Sequence, residues 1–147
     1  MALRWSASID HFARFRFDEP ERAAGAHARS NRDLIRILIE GLSLPEADIG
    51  EPFGDETLGM VSITFGRGFG AYDVNVGVSG DGLAPGPVWE LHVQVHQPGM
   101  LERSWRPKLE SMKLVEQRLH DRLLALGARD LWWRVQDSRK DPGQPTP

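Results

Sequence analysis

The chain has 147 residues, of which 40% are hydrophobic and 27% charged, and its net charge is −3. This size and composition are those of one globular domain, and the absence of cysteine excludes disulfides, thiolate metal sites and thiol nucleophiles. No run approaches the roughly 20 apolar residues of a membrane span, and the first residues lack the apolar core of a secretory signal. We therefore expect a cytoplasmic protein that does not bind membranes.

The acidic residues are concentrated in the middle of the chain. Residues 37–100 hold nine acidic side chains and one basic one, Arg67, whereas the segments before and after them carry a small positive excess. An acidic surface repels phosphates, and no cluster of Lys and Arg interleaved with aromatic residues occurs elsewhere. The sequence therefore disfavours direct binding to nucleic acid.

The first two predicted elements are a strand over residues 9–17 and a helix that begins near Asn31. The strand alternates between two faces, which is typical of a half-buried strand. Its first face carries Ile9, His11, Ala13, Phe15 and Phe17. Its second face carries Asp10, Phe12, Arg14 and Arg16. Ser30 is the predicted N-cap of the helix, Gly41 and Pro45 are predicted to end it, and an apolar stripe runs along it. The stripe consists of Leu34, Ile35, Leu38 and Leu42.

Three further strands follow a predicted loop over residues 45–55. They cover residues 60–65, 72–79 and 89–96, and each alternates apolar with polar side chains. The connections between them are so short that the strands can only be antiparallel neighbours. The sequence thus predicts a meander with one apolar face and one polar face.

Residues 107–126 predict a long amphipathic helix, because apolar residues recur there every three or four positions. These residues are Leu109, Met112, Val115, Leu119, Leu123 and Leu126. On the same helix, His120 is expected to face water beside Glu116. A last strand over residues 131–136 precedes a tail of residues 138–147, whose three prolines predict disorder.

Together these elements predict an α+β fold in a single domain of residues 1–137. Its sheet is expected to be mainly antiparallel and five-stranded, in the element order β-α-β-β-β-α-β. The two helices are expected to pack on one face of that sheet, because its other face is polar.

The polar face of the meander offers one candidate ligand site. Its members are Asp73, Asn75, Glu90, His92 and His96. The two histidines lie about 13 Å apart on an extended strand, so they cannot chelate one ion together. His92 with Glu90, or with an acid on a neighbouring strand, could form a general acid–base pair or bind a divalent ion. Alternation alone also predicts polar residues on a solvated face. This simpler interpretation is favoured, and we predict no metal site and no cofactor.

Signatures of catalysis are scarce. No serine occupies a glycine-flanked nucleophile elbow, and no two carboxylates stand out as a matched acid and nucleophile. Gly66, Gly68 and Gly70 precede an alternating strand rather than a helix, so they predict a hairpin turn and not a phosphate-binding loop. We predict no catalytic residue, and a binding protein is favoured over an enzyme.

A dense group of acidic residues is the first indication of a binding function. Glu46, Asp48, Glu51, Asp55 and Glu56 lie within eleven residues that contain no positive charge. Their spacing lacks the ligand pattern of a calcium-binding loop. Such a loop either only keeps the protein soluble or forms a docking surface that speeds encounter with a cationic partner.

Aromatic residues give the second indication. Trp132 and Trp133 are consecutive in the last predicted strand, so they point to opposite faces and only one can enter the core. The other is expected at an edge or on the polar side, as Phe12 is in the first strand. Tryptophan is enriched where interfaces concentrate binding energy, although an exposed Trp can also simply cover its own sheet edge.

These observations favour a non-catalytic protein-binding module. An acidic loop would attract a partner protein with a basic surface, and an aromatic edge of Phe12, Trp132 and Trp133 would anchor it. In size, acidity and lack of a catalytic signature, the chain resembles the cytoplasmic immunity proteins that neutralise bacterial toxins. This resemblance implies an immunity or adaptor role in a bacterium. The alternatives are a small enzyme or ligand-binding domain that uses the polar face, and self-association through the aromatic edge.

Overall fold

The computed structural model describes residues 8–17, 31–55, 58–80, 88–96, 106–135 and 143–147. These residues form an α+β fold with one antiparallel sheet and two helices, which confirms the predicted fold class. None of the described helices is long and apolar enough to cross a membrane.

The described strands all belong to one sheet. Its strands are β1 (Ser8–Phe17), β2 (Ala47–Ile49), β3 (Phe53–Gly54), β4 (Leu58–Phe65), β5 (Tyr72–Gly80), β6 (Val88–His96) and β7 (Ala128–Val135). The helices are α1 (Asn31–Ile39) and α2 (Arg106–Ala125). The strands lie in the order β2-β4-β5-β6-β1-β7, and β3 pairs with β4 on the same side as β2. Strands β2 and β7 are therefore at opposite edges.

The described part of the sheet has seven strands, so the prediction of five is wrong. The sequence predicts a loop over residues 45–55, but β2 and β3 pair with β4 in that segment. These strands have three and two residues, and Gly50 and Pro52 lie between them. No alternating pattern is long enough to reveal such strands, because pairing with a neighbour rather than the local sequence makes them extended.

The C-terminal part of the chain also differs from the prediction. Strand β7 begins directly after Gly127, which has a φ of 91°, and thus starts before residue 131. Gln144 exchanges two backbone hydrogen bonds of 2.7 Å with Trp133. Residues 143–147, which the sequence assigns to a disordered tail, consequently lie beside β7. Residues 138–142 of that predicted tail lie outside the described residues.

Alternation along β1, β4, β5 and β6 separates apolar from polar side chains. The buried strand residues are Ala13, Phe15, Phe17, Val61, Ile63, Phe65, Val74, Val76, Val78, Leu91, Val93 and Val95, and they define what we call the apolar face. Asp10, Asn75, Glu90, His92 and Gln94 define the opposite, polar face. Apolar side chains of both helices join the same core cluster. Helix α1 contacts β4 and β5, α2 contacts β5, β6 and β7, and the helices touch each other.

Close contact between β4 and the start of α1 depends on Gly59. A β-carbon added at this position would lie 2.1 Å from the carbonyl oxygen of Asn31 and 2.7 Å from the amide nitrogen of Arg32. Both are backbone atoms, so neither can move aside without shifting the helix. Only glycine therefore lets α1 approach the sheet this closely.

Replacing Gly59 with alanine should destabilise the protein by about 1–3 kcal/mol, because the added methyl group overpacks this contact. The measurement is the free energy of unfolding from urea denaturation. Gly70→Ala is the matched control, since a β-carbon at Gly70 meets no atom within 4 Å and no positive φ is recorded there. Equal stability of the G59A and G70A variants would contradict the packing assigned to α1.

Candidate functional site

Four of the predicted partner-binding acids lie along the β2 edge of the sheet. Glu46, Asp48, Glu51 and Asp55 are all exposed, whereas Glu56 lies outside the described residues. Asp48 is opposite Thr64, and Thr64 in turn is opposite Asp73, so a second carboxylate lies one strand further into the polar face. The Thr64 hydroxyl donates a 2.7 Å hydrogen bond to Asp73.

Two exposed apolar side chains accompany these acids, and neither is predicted from the sequence. Phe53 is 51% exposed and Leu58 is 43% exposed. Phe53 pairs with Met60, which is opposite Gly77, so its side chain lies on the polar face. We call the segment of residues 46–55, together with Leu58, the acidic edge. Phe53 follows a proline and precedes a glycine, and no periodic pattern marks it as a surface residue of a strand.

The predicted aromatic residues occupy the other end of the sheet. Trp133 is 2% exposed and belongs to the core, whereas Trp132 is 45% exposed. A β-carbon at Gly143 would lie 2.1 Å from Nε1 of Trp132, so this indole lies against its own chain. The half-buried ring of Phe12 stacks on His92 with 4.7 Å between ring centroids. Trp132 and Phe12 thus contact other parts of their own chain. This arrangement favours a role in covering the sheet edge over a role in anchoring a partner.

The acidic loop and the aromatic edge do not form one surface. Strand β2 begins the strand order and β7 ends it, so five strand spacings, about 24 Å, separate them. They are therefore two separate patches rather than one continuous surface. The order of the strands, which the sequence does not predict, separates the acidic loop from the aromatic residues of the predicted binding surface.

A buried carboxylate organises the centre of the polar face. Asp10 is 5% exposed, and its oxygens accept hydrogen bonds from Ser8 (2.7 Å) and Gln94 (2.8 Å) and contact His92 Nε2 at 2.6 Å. Burial raises the pKa of Asp10, but hydrogen bonds from Ser8, His92 and Gln94 and the charge of His92 outweigh burial, so the pKa is lowered from 3.8. The carboxylate partner of His92 is thus Asp10, rather than Glu90 or Asp73.

The other residues of the predicted ligand site are held by separate neighbours. Glu90 makes ion pairs with Arg134 at 3.2 Å and with Arg14 at 3.6 Å. Asn75 accepts a 2.9 Å hydrogen bond from Ser62, and His96 is exposed at the end of β6. The polar groups of Glu90 and Asn75 are thus paired with neighbours on the same face of the sheet. They do not converge on one point where a ligand could bind. Among the described residues, no group of three or more His, Asp or Glu side chains could hold a metal ion.

A cavity of about 420 Å³ lies between α2, β1 and β7, where the sequence predicts no site. Nδ1 of His11 and Oε1 of Glu116, which both line the cavity, are 2.5 Å apart. Trp133 also lines the cavity, and its indole N–H donates a 3.0 Å hydrogen bond to Nδ1 of His120.

The expectation that His120 faces water beside Glu116 is wrong, since both side chains are buried. Glu116 and His120 lie one turn apart on the buried side of α2, the same side as Met112 and Leu119. This side of the helix contacts β7. Two features of the sequence could have indicated this site. His11 occupies an apolar-face position of β1, and Glu116 lies four residues after a core methionine.

No protein-family profile, no curated protein and no solved structure matches the chain.

The lowered pKa of Asp10 should make folding stability fall in acid. A group whose pKa is lower in the folded state than in the unfolded state stabilises the protein at pH values above its unfolded-state pKa. This stabilisation is lost as the pH falls through the folded-state pKa. The free energy of unfolding should therefore decrease from about pH 4 downwards. The Asp10→Asn variant should show a smaller decrease in acid. At neutral pH it should be less stable than the wild type by about 1–3 kcal/mol, because Ser8, His92 and Gln94 no longer have a carboxylate as hydrogen-bond partner.

Urea unfolding at a series of pH values measures both effects. Asp48→Asn is the control, because Asp48 is an exposed carboxylate at the edge of the same face. Its replacement should change stability by about 0.5 kcal/mol or less. If the free energy of unfolding of D10N falls as steeply in acid as that of the wild type, Asp10 does not control the acid dependence of stability.

Proposed function

We propose that the protein is a non-catalytic protein-binding module that engages a basic partner through the acidic edge. The observation that carries the proposal is the exposure of Phe53 and Leu58 among exposed carboxylates. Residues 37–66 contain no Lys, Arg or His, so no cation of this stretch neutralises the acids. Apolar area surrounded by charge is the usual anatomy of a protein interface.

The two kinds of residue have different parts in binding. Burying the exposed area of Phe53 and Leu58 against a partner would stabilise the complex by about 1–2 kcal/mol for each side chain. Glu46, Asp48 and Glu51 would contribute mainly to the rate of encounter, because exposed charges steer association more than they tighten a finished complex. The partner is therefore expected to present an apolar patch surrounded by Lys and Arg.

The proposal requires that both helices cover the apolar face and leave the acidic edge open. Contacts between α1 and α2, and the cluster that their buried side chains share with the strands, support this arrangement. The contact of His11 with Glu116 of α2 supports it further, because His11 is on the apolar-face side of β1. An immunity or adaptor protein in a bacterial cytoplasm would present a surface of this kind.

Neutralising the acidic edge should slow association with the partner. The test compares capture from a lysate of the source cell by the wild type and by a variant with Glu46→Gln, Asp48→Asn, Glu51→Gln and Asp55→Asn. A partner that the wild type retains is then purified, and its association rate is measured by surface plasmon resonance. We expect a decrease of about 10-fold or more at low salt that shrinks as salt is raised.

A matched control separates local charge from net charge. Four exposed acids outside the acidic edge are changed together, namely E40Q, E110Q, D121N and D130N. This variant has the same net charge as the first but an intact acidic edge, so its association rate should stay near that of the wild type. Phe53→Ala should instead raise the dissociation rate about 10-fold. Equal slowing in both quadruple variants would refute a docking role for the acidic edge.

A further inference from the structure

We propose that the cavity between α2 and the β1–β7 edge binds a small carboxylate with an apolar body, such as an aryl-alkanoate. This site lies at the opposite edge of the sheet from the acidic edge, and it does not depend on the partner-binding proposal. Its volume of about 420 Å³ falls within the range of roughly 300–1,000 Å³ that small-molecule sites occupy.

The walls of the cavity are largely apolar. Leu109 and Met112 line it from α2, and Trp133 and Val135 line it from β7. Met112 and Trp133 are buried, whereas Leu109 and Val135 are among the large hydrophobic residues that remain exposed. An apolar ligand body would cover this exposed area, and a Trp ring with a Met side chain would accept an aromatic group.

The polar groups of the cavity favour an anionic head group. Glu116 and Lys113 line it from one face of α2, and His11 lies opposite them. Two cations, Lys113 and Arg134, line the cavity with a single acidic side chain, Glu116, so the lining side chains have a positive excess whatever the charge of His11. A carboxylate ligand balances that charge, whereas a cationic ligand would be repelled.

The position of the His11–Glu116 pair is itself informative. A buried carboxylate costs free energy that an apolar residue of similar size would not, so such pairs are weak contributors to stability. Here the pair borders a cavity rather than filling the core. His11, whose side chain is 28% exposed, and Glu116 are therefore placed to contact a bound ligand.

Titration of the full chain with 4-phenylbutyrate, followed by nuclear magnetic resonance, tests the proposal. The indole N–H signal of Trp133 should shift and saturate, with a dissociation constant of about 1 mM or below. The uncharged 4-phenylbutyramide should bind at least about 5-fold more weakly. Absence of a saturable shift with the carboxylate, or equal affinity for acid and amide, would overturn the assignment.

Three variants locate the binding site. Met112→Trp should fill the cavity and weaken binding of the carboxylate at least about 10-fold. If it does not fold, Leu109→Trp at the exposed side of the cavity is used in its place.

Lys113→Met should reduce affinity for the acid to that for the amide, whereas Arg36→Met, which removes an exposed cation on α1, should bind as the wild type does. Unchanged affinity in the filled variant, or an equal loss in K113M and R36M, would place the ligand elsewhere.

Discussion

The alternation of side chains along β1 is the constraint on which the rest of the structure depends. β1 lies between β6 and β7, and its successive side chains point to opposite faces of the sheet. Asp10 and His11 are consecutive, yet each forms a contact between a carboxylate and an imidazole on a different face, with His92 and Glu116 respectively. A shift of β1 by one residue would exchange these side chains and break both contacts, together with the burial of Phe15.

The long, periodic elements could be predicted because their pattern is local. β4, β5, β6 and α2 each extend over at least eight residues, which is enough for a period of two or of 3.6 to stand out. β2 and β3 could not be predicted, because they are strands only through pairing with β4. Residues 143–147 behave similarly, since Gln144 is held by the backbone of Trp133.

The candidate sites were harder to predict, because a pattern assigns a face but not a neighbour. The sequence places His92 on the polar face, but only the register of β1 with β6 brings Asp10 to it. The sequence likewise places Glu116 on α2, but only the packing of that helix over β7 turns it inward. Strand order had the largest consequence, because it separates Trp132 from the acidic edge that it was expected to accompany.

The same strand order gives the molecule an uneven charge distribution. Residues 37–100, which supply β2 to β6, carry a large acidic excess, whereas α2 and β7 carry more basic than acidic residues. Opposite signs therefore dominate at opposite edges of one sheet. Fields of this kind attract a cation to one edge and an anion to the other over distances of about a Debye length. Four strands of the sheet lie between these edges. The ligand proposed for the cavity and the partner proposed for the acidic edge would therefore not touch, and any coupling between their sites would have to pass through the sheet.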